Sequence, residues 1–253
     1  MVKSANRVIN ILQAVGANKY GISNAELSSD LNIPKGSLSL LLAELVANDF
    51  LTLRKEDRRY ILGPQIFVLA GQYLSDLDMV QVGRTIVHDL MMTTHESSAL
   101  VIRKGFEMMV VYGENSPHPL RRSVEIGYRA SLHTTAGGKA ILAHLTDEEV
   151  DQYLSSVKMI PVTPTTITLP ETLRKELTAI RSGALAYARE EQFEGLTAMA
   201  APVFDLHGSV VAALVITFPT IRFNKESEKL IEETLQKASA ELSRQLGFNS
   251  TSH

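Results

Sequence analysis

A short glycine run at the start of a predicted helix is the segment of this chain best suited to hold an anion. Residues 134–139 read Thr-Thr-Ala-Gly-Gly-Lys and lead into an apolar stretch. Free backbone N–H groups at a helix N-terminus attract negative charge, and glycine lets a ligand approach the backbone closely. The spacing differs from the Gly-x4-Gly-Lys-Ser/Thr loop that binds nucleotide phosphates. The residues alone leave two interpretations open, a carboxylate site or a plain glycine-rich turn.

A second candidate binding surface lies on a predicted helix that begins at Lys35. Apolar residues form one face of this helix at i, i+3, i+4, i+7 spacing, namely Leu38, Leu41, Leu42 and Leu45. The opposite face carries one cation and short side chains, which suits insertion into a DNA major groove. Lys35 would mainly hold phosphate, whereas Ser37 and Ser39 could reach base edges or phosphate. The candidate DNA contacts on this helix are Lys35, Gly36, Ser37, Ser39 and Leu40.

Enzyme chemistry finds little support in the sequence. The chain has seven histidines, yet it contains neither HExxH nor Gly-x-Ser-x-Gly, and its histidine spacing is not typical of metal ligands. Because cysteine is absent, thiolate nucleophiles, disulfides and Cys-ligated zinc are excluded. Glu190 and Glu191 are predicted to be exposed charges rather than an acid–base pair. We therefore predict no catalytic residue, no metal and no cofactor.

The elements that position Lys35 have the pattern of a helix-turn-helix. Ser23 can cap a first helix, and Glu26, three residues on, completes a capping box. Pro34 disfavours helical geometry at the residue before it, so the first helix ends there and the second begins at Lys35. Taken alone, this segment is equally typical of an ordinary helical hairpin.

A short hairpin after the two helices favours DNA binding. Residues 50–53 and 59–62 are predicted strands around a charged turn that carries Arg58 and Arg59. A helix-turn-helix followed by such a hairpin is a winged helix, whose wing can reach phosphate. Arg58 and Arg59 are therefore candidate DNA contacts, the alternative being a solvated turn. One supporting helix precedes them, with a stripe of Val8, Ile11, Leu12 and Val15.

The distribution of charge and apolar residues agrees with a DNA-binding head on a second domain. The net charge is −3, but residues 1–60 hold eight Lys/Arg against six Asp/Glu. This balance is weak for one copy, so specific affinity is expected to need a dimer. No apolar run approaches the roughly 18 residues of a membrane helix, and the N-terminus does not resemble a signal peptide. A cytoplasmic protein without membrane contact is expected.

A predicted helix over residues 64–75 connects the two parts. Gly63-Pro64 marks the boundary, and proline suits the first position of a helix. DNA readers of this size usually dimerise to match two half-sites, so we expect its apolar stripe to be shared with a second copy. The stripe consists of Ile66, Leu69, Ala70 and Tyr73. The predicted division is residues 1–62 for DNA binding, 63–78 for linkage and dimerisation, and 79–253 for an effector domain.

The second half alternates strands and helices. Hairpin-connected strands with helices between them predict an α+β domain with a mainly antiparallel sheet. Asn224 is expected to cap a final helix. Predicted strands cover residues 99–103, 106–112, 122–126, 185–189, 197–204 and 209–217, and predicted helices cover 79–94, 136–145, 147–155, 170–181 and 224–246.

Over about residues 4–247 the chain resembles the IclR family of bacterial transcriptional regulators. The resemblance implies an N-terminal winged helix-turn-helix, a dimerising linker helix and a C-terminal GAF-like effector-binding domain, often in a dimer of dimers. At Leu40 the family commonly has a basic residue; here the apolar side chain suits a thymine methyl or packing. The motifs that carry the resemblance are Ile-Pro-Lys-Gly-Ser at 33–37, Arg-Tyr-Ile-Leu-Gly-Pro at 59–64, His-Pro-Leu at 118–120, Leu-His-Thr-Thr-Ala-Gly-Gly-Lys-Ala at 132–140, and the stretches 195–205 and 208–214.

The resemblance implies an effector pocket at the glycine run. Family members that bind small acids have polar groups at positions that match Ala188, Ala198 and Val215, and only Thr217 keeps a hydroxyl. A compact, heavily hydroxylated acid would leave buried polar groups unpaired here. A carboxylate with a bulkier apolar or aromatic body is expected instead. The candidate effector contacts are Ala130, Ala136, Gly137, Ala188, Ala198, Val215 and Thr217.

These observations predict an effector-responsive regulator that binds double-stranded operator DNA. The expected arrangement is repression of neighbouring catabolic genes, relieved by the carboxylate. A ligand-dependent activator is the main alternative, and an enzyme on a GAF-like scaffold is a remote one. A ligand-binding module that acts through protein contacts alone survives only if the head does not bind DNA.

Overall fold

The computed structural model describes residues 3–75 and 78–248, which form two compact units on either side of that gap. The helix predicted as a linker belongs to the first unit by its contacts. The three-part division into 1–62, 63–78 and 79–253 stays a prediction. Within the described ranges, no helix is both long and apolar enough to cross a membrane.

The first unit has the element order of a winged helix-turn-helix. Leu38, Leu42 and Leu45 bury the predicted face of the third helix, whereas Leu41 is only half-buried. The two strands pair antiparallel, with Thr52 opposite Ile61. The elements are α1 (Lys3–Ala17), α2 (Asn24–Asp30), α3 (Lys35–Ala47), β1 (Leu51–Leu53), β2 (Tyr60–Leu62) and α4 (Pro64–Ser75).

The start of α2 has the predicted capping box, and a further hydrogen bond closes the turn between α2 and α3. The Glu26 N–H donates to Ser23 Oγ at 3.3 Å, and the Ser23 N–H donates to Glu26 Oε2 at 2.7 Å. This capping box satisfies N–H groups that a helix start leaves without partners. The Ser28 hydroxyl donates to the Ile33 carbonyl at 2.8 Å, which closes the turn before Pro34. The orientation of α3 is therefore set by local hydrogen bonds as well as by its apolar face.

The second unit is an α+β domain around one antiparallel sheet of six strands in the order β5-β4-β3-β8-β7-β6. Its strands are β3 (Ser97–Lys104), β4 (Glu107–Glu114), β5 (Arg129–Ser131), β6 (Ala186–Arg189), β7 (Leu196–Phe204) and β8 (Val210–Pro219). Its helices are α5 (Asp78–Thr94), α6 (Ala136–Ala143), α7 (Asp147–Ser156), α8 (Pro170–Arg181) and α9 (Lys225–Gln245). As expected, Asn224 caps α9, its side chain accepting from two N–H groups.

The strand predicted at residues 122–126 is wrong. That segment is irregular, and the edge strand is β5, which pairs with β4. Side chains hold the backbone of the segment instead of a neighbouring strand. The Ser97 hydroxyl donates to the Arg122 carbonyl at 2.9 Å, and the Val124 N–H donates to Asn115 Oδ1 at 2.8 Å. An alternation of side chains predicts a strand only where a ladder partner lies beside it.

Helices cover both faces of the sheet. Leu100 of β3 lies against Gly83 of α5, whereas its neighbour Val101 lies against Gly137 of α6. Because successive residues of a strand point to opposite faces, α5 and α6 lie on opposite sides of the sheet. α9 packs beside α5 and also contacts β7 and β8.

The two glycines at the start of α6 allow close packing that larger residues would prevent. A Cβ at Gly137 would lie 2.7 Å from methyl groups of both Val101 and Val215. A Cβ at Gly138 would lie 2.3 Å from the Leu132 carbonyl oxygen, a backbone atom that cannot rotate away. The glycine run is thus a packing requirement in addition to any role in ligand binding.

We predict that Gly138→Ala lowers the free energy of unfolding by about 1–3 kcal/mol, because the methyl group overpacks against backbone. The matched control is Gly36→Ala in α3, where an added Cβ meets nothing within 4 Å. That control should be neutral or stabilising by about 0.5–1 kcal/mol through helix propensity. Urea unfolding followed by circular dichroism measures both. A Gly138→Ala variant as stable as wild type would contradict the packing argument.

Candidate functional site

The predicted DNA residues of α3 lie together on one exposed side of the first unit. Lys35, Gly36 and Ser37 are exposed in the first turn, and the Leu40 side chain is 72% exposed. Ser39 is partly engaged, since its hydroxyl donates to the Lys35 carbonyl at 2.8 Å and accepts from the Asn24 amide at 3.1 Å. An exposed Leu40 excludes the packing role and leaves an apolar side chain on the surface opposite the core.

The two wing arginines have different environments. Arg58 is exposed in the turn, at a left-handed backbone angle (φ +57°), and has no ion pair within the part of the chain that the structure describes. Arg59 instead donates to the Gly21 carbonyl at 2.8 Å and to Glu26 Oε1 at 3.0 Å. Hydrogen bonds from Ser23 and the charge of Arg59 hold the pKa of Glu26 below its usual range. Arg59 therefore braces the wing against α2, and Arg58 is the better placed of the two for phosphate.

The second unit contains a cavity between the sheet and the start of α6. Its empty space is about 750 Å³, a figure that includes open solvent at the mouth. Ala130 does not line the cavity; it is buried in β5 opposite Met108. The other six predicted effector residues all line it, namely Ala136, Gly137, Ala188, Ala198, Val215 and Thr217.

Small side chains on one sheet face create this space. Across neighbouring strands, Ser97 pairs with Thr217, Thr217 with Ala198, and Ala198 with Ala188. Directly paired residues share a face of an antiparallel sheet. This row is therefore too short to reach the covering helix, and a cavity remains above it. Thr217 contributes the only hydroxyl in the centre of the row.

The start of α6 leaves two backbone N–H groups without a partner in residues that line the cavity. The Thr135 hydroxyl accepts from the Gly138 N–H at 3.1 Å, and the Thr135 carbonyl accepts from the Lys139 N–H at 2.9 Å. The N–H groups of Ala136 and Gly137 have no partner among the described residues, and both residues line the cavity. A helix N-terminus with two free donors favours an anionic ligand group.

Loop residues that the sequence analysis did not identify as a binding site also line the cavity. The Arg122 guanidinium lies 4.7 Å from the Phe193 ring and 5.2 Å from the Tyr128 ring, and it pairs with Glu125 at 3.1 Å. Gln192 donates from its amide to the Tyr128 hydroxyl at 3.0 Å. These residues come from two loops distant in sequence, and no periodicity or motif marks them. Only the fold brings them to one cavity.

A buried ion cluster includes Glu191, the residue that precedes Gln192. Lys139 is completely buried, and its ammonium lies 2.6 Å from Glu176 Oε1 and 2.9 Å from both oxygens of Glu191. The prediction of exposed charges at Glu190 and Glu191 is wrong for Glu191, which is buried; Glu190 is half-buried. Burial raises the pKa of Glu191, and the charge of Lys139 opposes that rise.

His133 and His144 make contacts within the fold of this unit. His133 Nδ1 lies 2.7 Å from the Tyr153 hydroxyl, and burial lowers the pKa of His133 while it raises that of Tyr153 to about 12. His144 packs edge-on against Phe204 at 5.1 Å. Across residues 3–75 and 78–248, no group of three His, Asp or Glu side chains is arranged to hold a metal.

Comparisons with known proteins agree on one family. A family model described as bacterial transcriptional regulator IclR, C-terminal, matches residues 71–244. HTH-type transcriptional regulator KdgR of Dickeya chrysanthemi is 32% identical over 248 residues, which cover 98% of this chain and 81% of that protein. KdgR of Escherichia coli is also 32% identical, with 98% and 94% covered. These relatives are named as regulators and not as enzymes.

Solved structures show the same fold along almost all of the chain. The IclR protein of Thermotoga maritima is 27% identical with a TM-score of 0.84, and 98% of this chain and 100% of that one are covered. An IclR homologue from Microbacterium hydrocarbonoxydans, complexed with 4-hydroxybenzoate, has a TM-score of 0.84 at 20% identity, with 96% and 100% covered. The second likeness establishes the fold alone.

We predict that Lys139→Met lowers the free energy of unfolding at pH 8 by about 3–5 kcal/mol, because it leaves the buried Glu191 carboxylate without a cation. Without Lys139 the pKa of Glu191 rises further above its ordinary value of 4.5. A group whose pKa is raised by folding contributes stability below its unfolded pKa and loses it as pH rises through the folded pKa. The deficit relative to wild type should therefore be smaller at pH 5 than at pH 8.

The double variant Lys139→Met/Glu191→Gln should recover part of this loss, since one buried charge is removed. The matched control is Lys175→Met, an exposed lysine of α8, which should be near neutral. Urea unfolding at the two pH values measures all four proteins. A deficit of equal size at both pH values would show that Glu191 is not the group left unpaired.

Proposed function

The chain belongs to the IclR family of bacterial transcriptional regulators, and from that membership we propose that it represses genes until a small carboxylate releases it from operator DNA. The observation that carries the proposal is the cavity of the second unit, which combines free N–H groups at the start of α6 with a wall of alanines. The proposed effector is a carboxylate with a bulky apolar or aromatic body.

The proposed DNA contacts are the exposed residues of α3 and the wing. Lys35 and Arg58 would hold phosphates, and Ser37, Ser39 and Leu40 would face the major groove. Arg59 supports this surface by bracing the wing on Gly21 and Glu26. Two basic contacts per copy make weak binding, so we propose that two copies bind together.

The proposed surface between the two copies is on α4. Phe67 is 82% exposed, Val68 46% and Leu69 45%, and Ala70 is also exposed. Of the predicted stripe, Ile66 is half-buried, and the side chain of Tyr73 lies outside the described residues. Adjacent exposed apolar residues of this size are typical of protein interfaces, which supports a homodimer.

We predict that Arg58→Ala weakens binding to operator and unrelated DNA by similar factors and reduces the slope of log affinity against log salt by about one. Fluorescence anisotropy over a salt series, with the promoter region beside the gene, provides the measurement. Arg59→Ala should in addition lower the thermal stability of the first unit, since it removes the hydrogen bonds from Arg59 to the Gly21 carbonyl and to Glu26.

A control variant and a variant of the proposed dimer surface separate these effects. Lys158→Ala removes an exposed lysine of the second unit and should leave the salt slope unchanged. Leu69→Glu should give weaker dimers by light scattering and poor operator binding. An unchanged salt slope in Arg58→Ala would remove the wing from the interface, and a monomeric Leu69→Glu protein with normal operator binding would overturn the dimer.

The effector proposal depends on two parts of the cavity, the start of α6 and the face of the sheet. The N–H groups of Ala136 and Gly137 suit a carboxylate, while Ala188, Ala198 and Val215 offer no partner for additional hydroxyl groups along the sheet. Leaving polar ligand groups unpaired would cost affinity. The structural relative from Microbacterium hydrocarbonoxydans is complexed with an aromatic carboxylate, which supports the same ligand class for this chain.

We predict that an aromatic carboxylate binds at least about tenfold more tightly than its neutral amide, because one charge-assisted hydrogen bond is lost. Ala198→Leu should fill the cavity and abolish this binding while operator affinity stays normal. Val215→Ser should improve tolerance of small polar acids such as pyruvate. Calorimetry with acid and amide pairs measures the first effect, and anisotropy with operator DNA shows whether the ligand causes release.

Two results would contradict different parts of this proposal. Equal binding of acid and amide would exclude an anion site at α6. A ligand that strengthens operator binding would make the protein a ligand-dependent activator rather than a relieved repressor.

A further inference from the structure

One polar atom in the cavity wall has no partner in the described structure. Gln192 Oε1 is buried and accepts no hydrogen bond, although Gln192 lines the cavity. Its amide nitrogen is already used, because it donates to the Tyr128 hydroxyl at 3.0 Å. A buried acceptor without a donor costs free energy, and native proteins retain few of them. This atom therefore marks a place where a ligand donor would bind.

The loop that carries Gln192 is held too firmly to relieve this cost by moving. The carbonyl oxygens of the two preceding residues each accept from a threonine hydroxyl at 2.7 Å, Glu190 from Thr163 and Glu191 from Thr166. The Glu191 carboxylate is in turn bound by the buried Lys139. Gln192 is thus presented to the cavity by fixed neighbours, which is the preorganisation that specific recognition requires.

Helix α6 positions both the free N–H groups and the loop that carries Gln192. The first residues of α6 present the free N–H groups. Lys139, the fourth residue of the same helix, binds the Glu191 carboxylate and so anchors the loop that carries Gln192. The separation between the anion site and Gln192 is consequently set by one rigid element and one ion pair. A ligand of matching length could satisfy both ends at once.

We propose that Gln192 accepts a hydrogen bond from a hydroxyl or amino group that the effector carries away from its carboxylate. The Tyr128 hydroxyl accepts from the Gln192 amide, so its own proton is free to donate to the same ligand group. A ligand hydroxyl fits this pair best, since it donates to Gln192 and accepts from Tyr128. The inference rests on the proposed carboxylate effector and narrows it to hydroxy- or amino-substituted aromatic acids.

The aromatic surroundings fit a flat ligand body. Phe193 and Tyr128 lie beside Arg122, with ring centroids 6.1 Å apart. The sheet side offers Ala188, Ala198 and Val215 beside the hydroxyls of Ser97 and Thr217. Ring faces and methyl groups pack well against a planar ring. The aromatic rings and the alanines therefore offer apolar surface to a planar ligand body.

The test is calorimetry of the full-length protein with benzoate and its hydroxy, amino and methoxy derivatives, each as three positional isomers. At one ring position, the hydroxy and amino compounds should bind about tenfold more tightly than benzoate, because they supply the missing donor. The methoxy compound at that position only accepts hydrogen bonds and should bind no better than benzoate.

Gln192→Met keeps the size of the side chain but removes its acceptor, so it should abolish the preference for hydroxy over unsubstituted benzoate while benzoate affinity stays within about twofold. Tyr128→Phe should reduce the hydroxy preference and spare the amino preference. The matched control is Gln152→Met on the exposed face of α7, which should keep every preference. Thermal unfolding of each variant establishes that it is folded.

The outcomes separate this inference from the proposed function. If wild type binds benzoates with no preference for a donor, or if Gln192→Met retains the preference, Gln192 does not read the effector and the carboxylate site stands. If the methoxy compounds bind most tightly, the wall supplies a donor and the inference is overturned. If no carboxylate of the panel binds, while neutral analogues do, the proposed function fails and this inference fails with it.

Discussion

The close approach of α6 to the sheet is the constraint on which the ligand-binding unit depends. Gly137 leaves room for methyl groups of Val101 and Val215, and Gly138 for the backbone of Leu132. This contact brings the helix start down onto the sheet beside the row of small side chains that leaves the cavity open. Free N–H groups, an apolar wall and the space between them follow from one packing arrangement, because each depends on where the helix begins.

The buried lysine extends this arrangement to the loops. Lys139 enters the core from α6 and binds Glu176 of α8 and Glu191 of the following loop. A buried ion pair contributes little net stability compared with apolar packing, but removing one partner is costly, so it specifies which groups must lie together. Here it links the helix that begins at the cavity with the loop that supplies Gln192 and Phe193.

The DNA-binding unit uses charge in a comparable way. Of two adjacent arginines at the wing, Arg59 is used within the fold, where it joins the wing to the turn before α2, and Arg58 is left exposed. The exposed side of α3 has few charges, with Lys35 at its start. Such a surface suits recognition by several copies, since each copy adds only a few phosphate contacts.

The resemblance to the family supplied six residues that line the cavity. Local patterns in the sequence were sufficient to predict the elements of the winged helix, the capping box at Ser23, the cap at Asn224 and most strands. These features depend on neighbours a few positions away or on a strict period of two. The tertiary structure alone decided that residues 122–126 are irregular, that Ala130 packs outside the cavity, that Glu191 is buried and that Arg59 is a brace. These outcomes depend on residues distant in the sequence, such as Ser97 for Arg122, Met108 for Ala130 and Lys139 for Glu191. Burial and pairing of a polar side chain are properties of the assembled fold, and no local pattern encodes them.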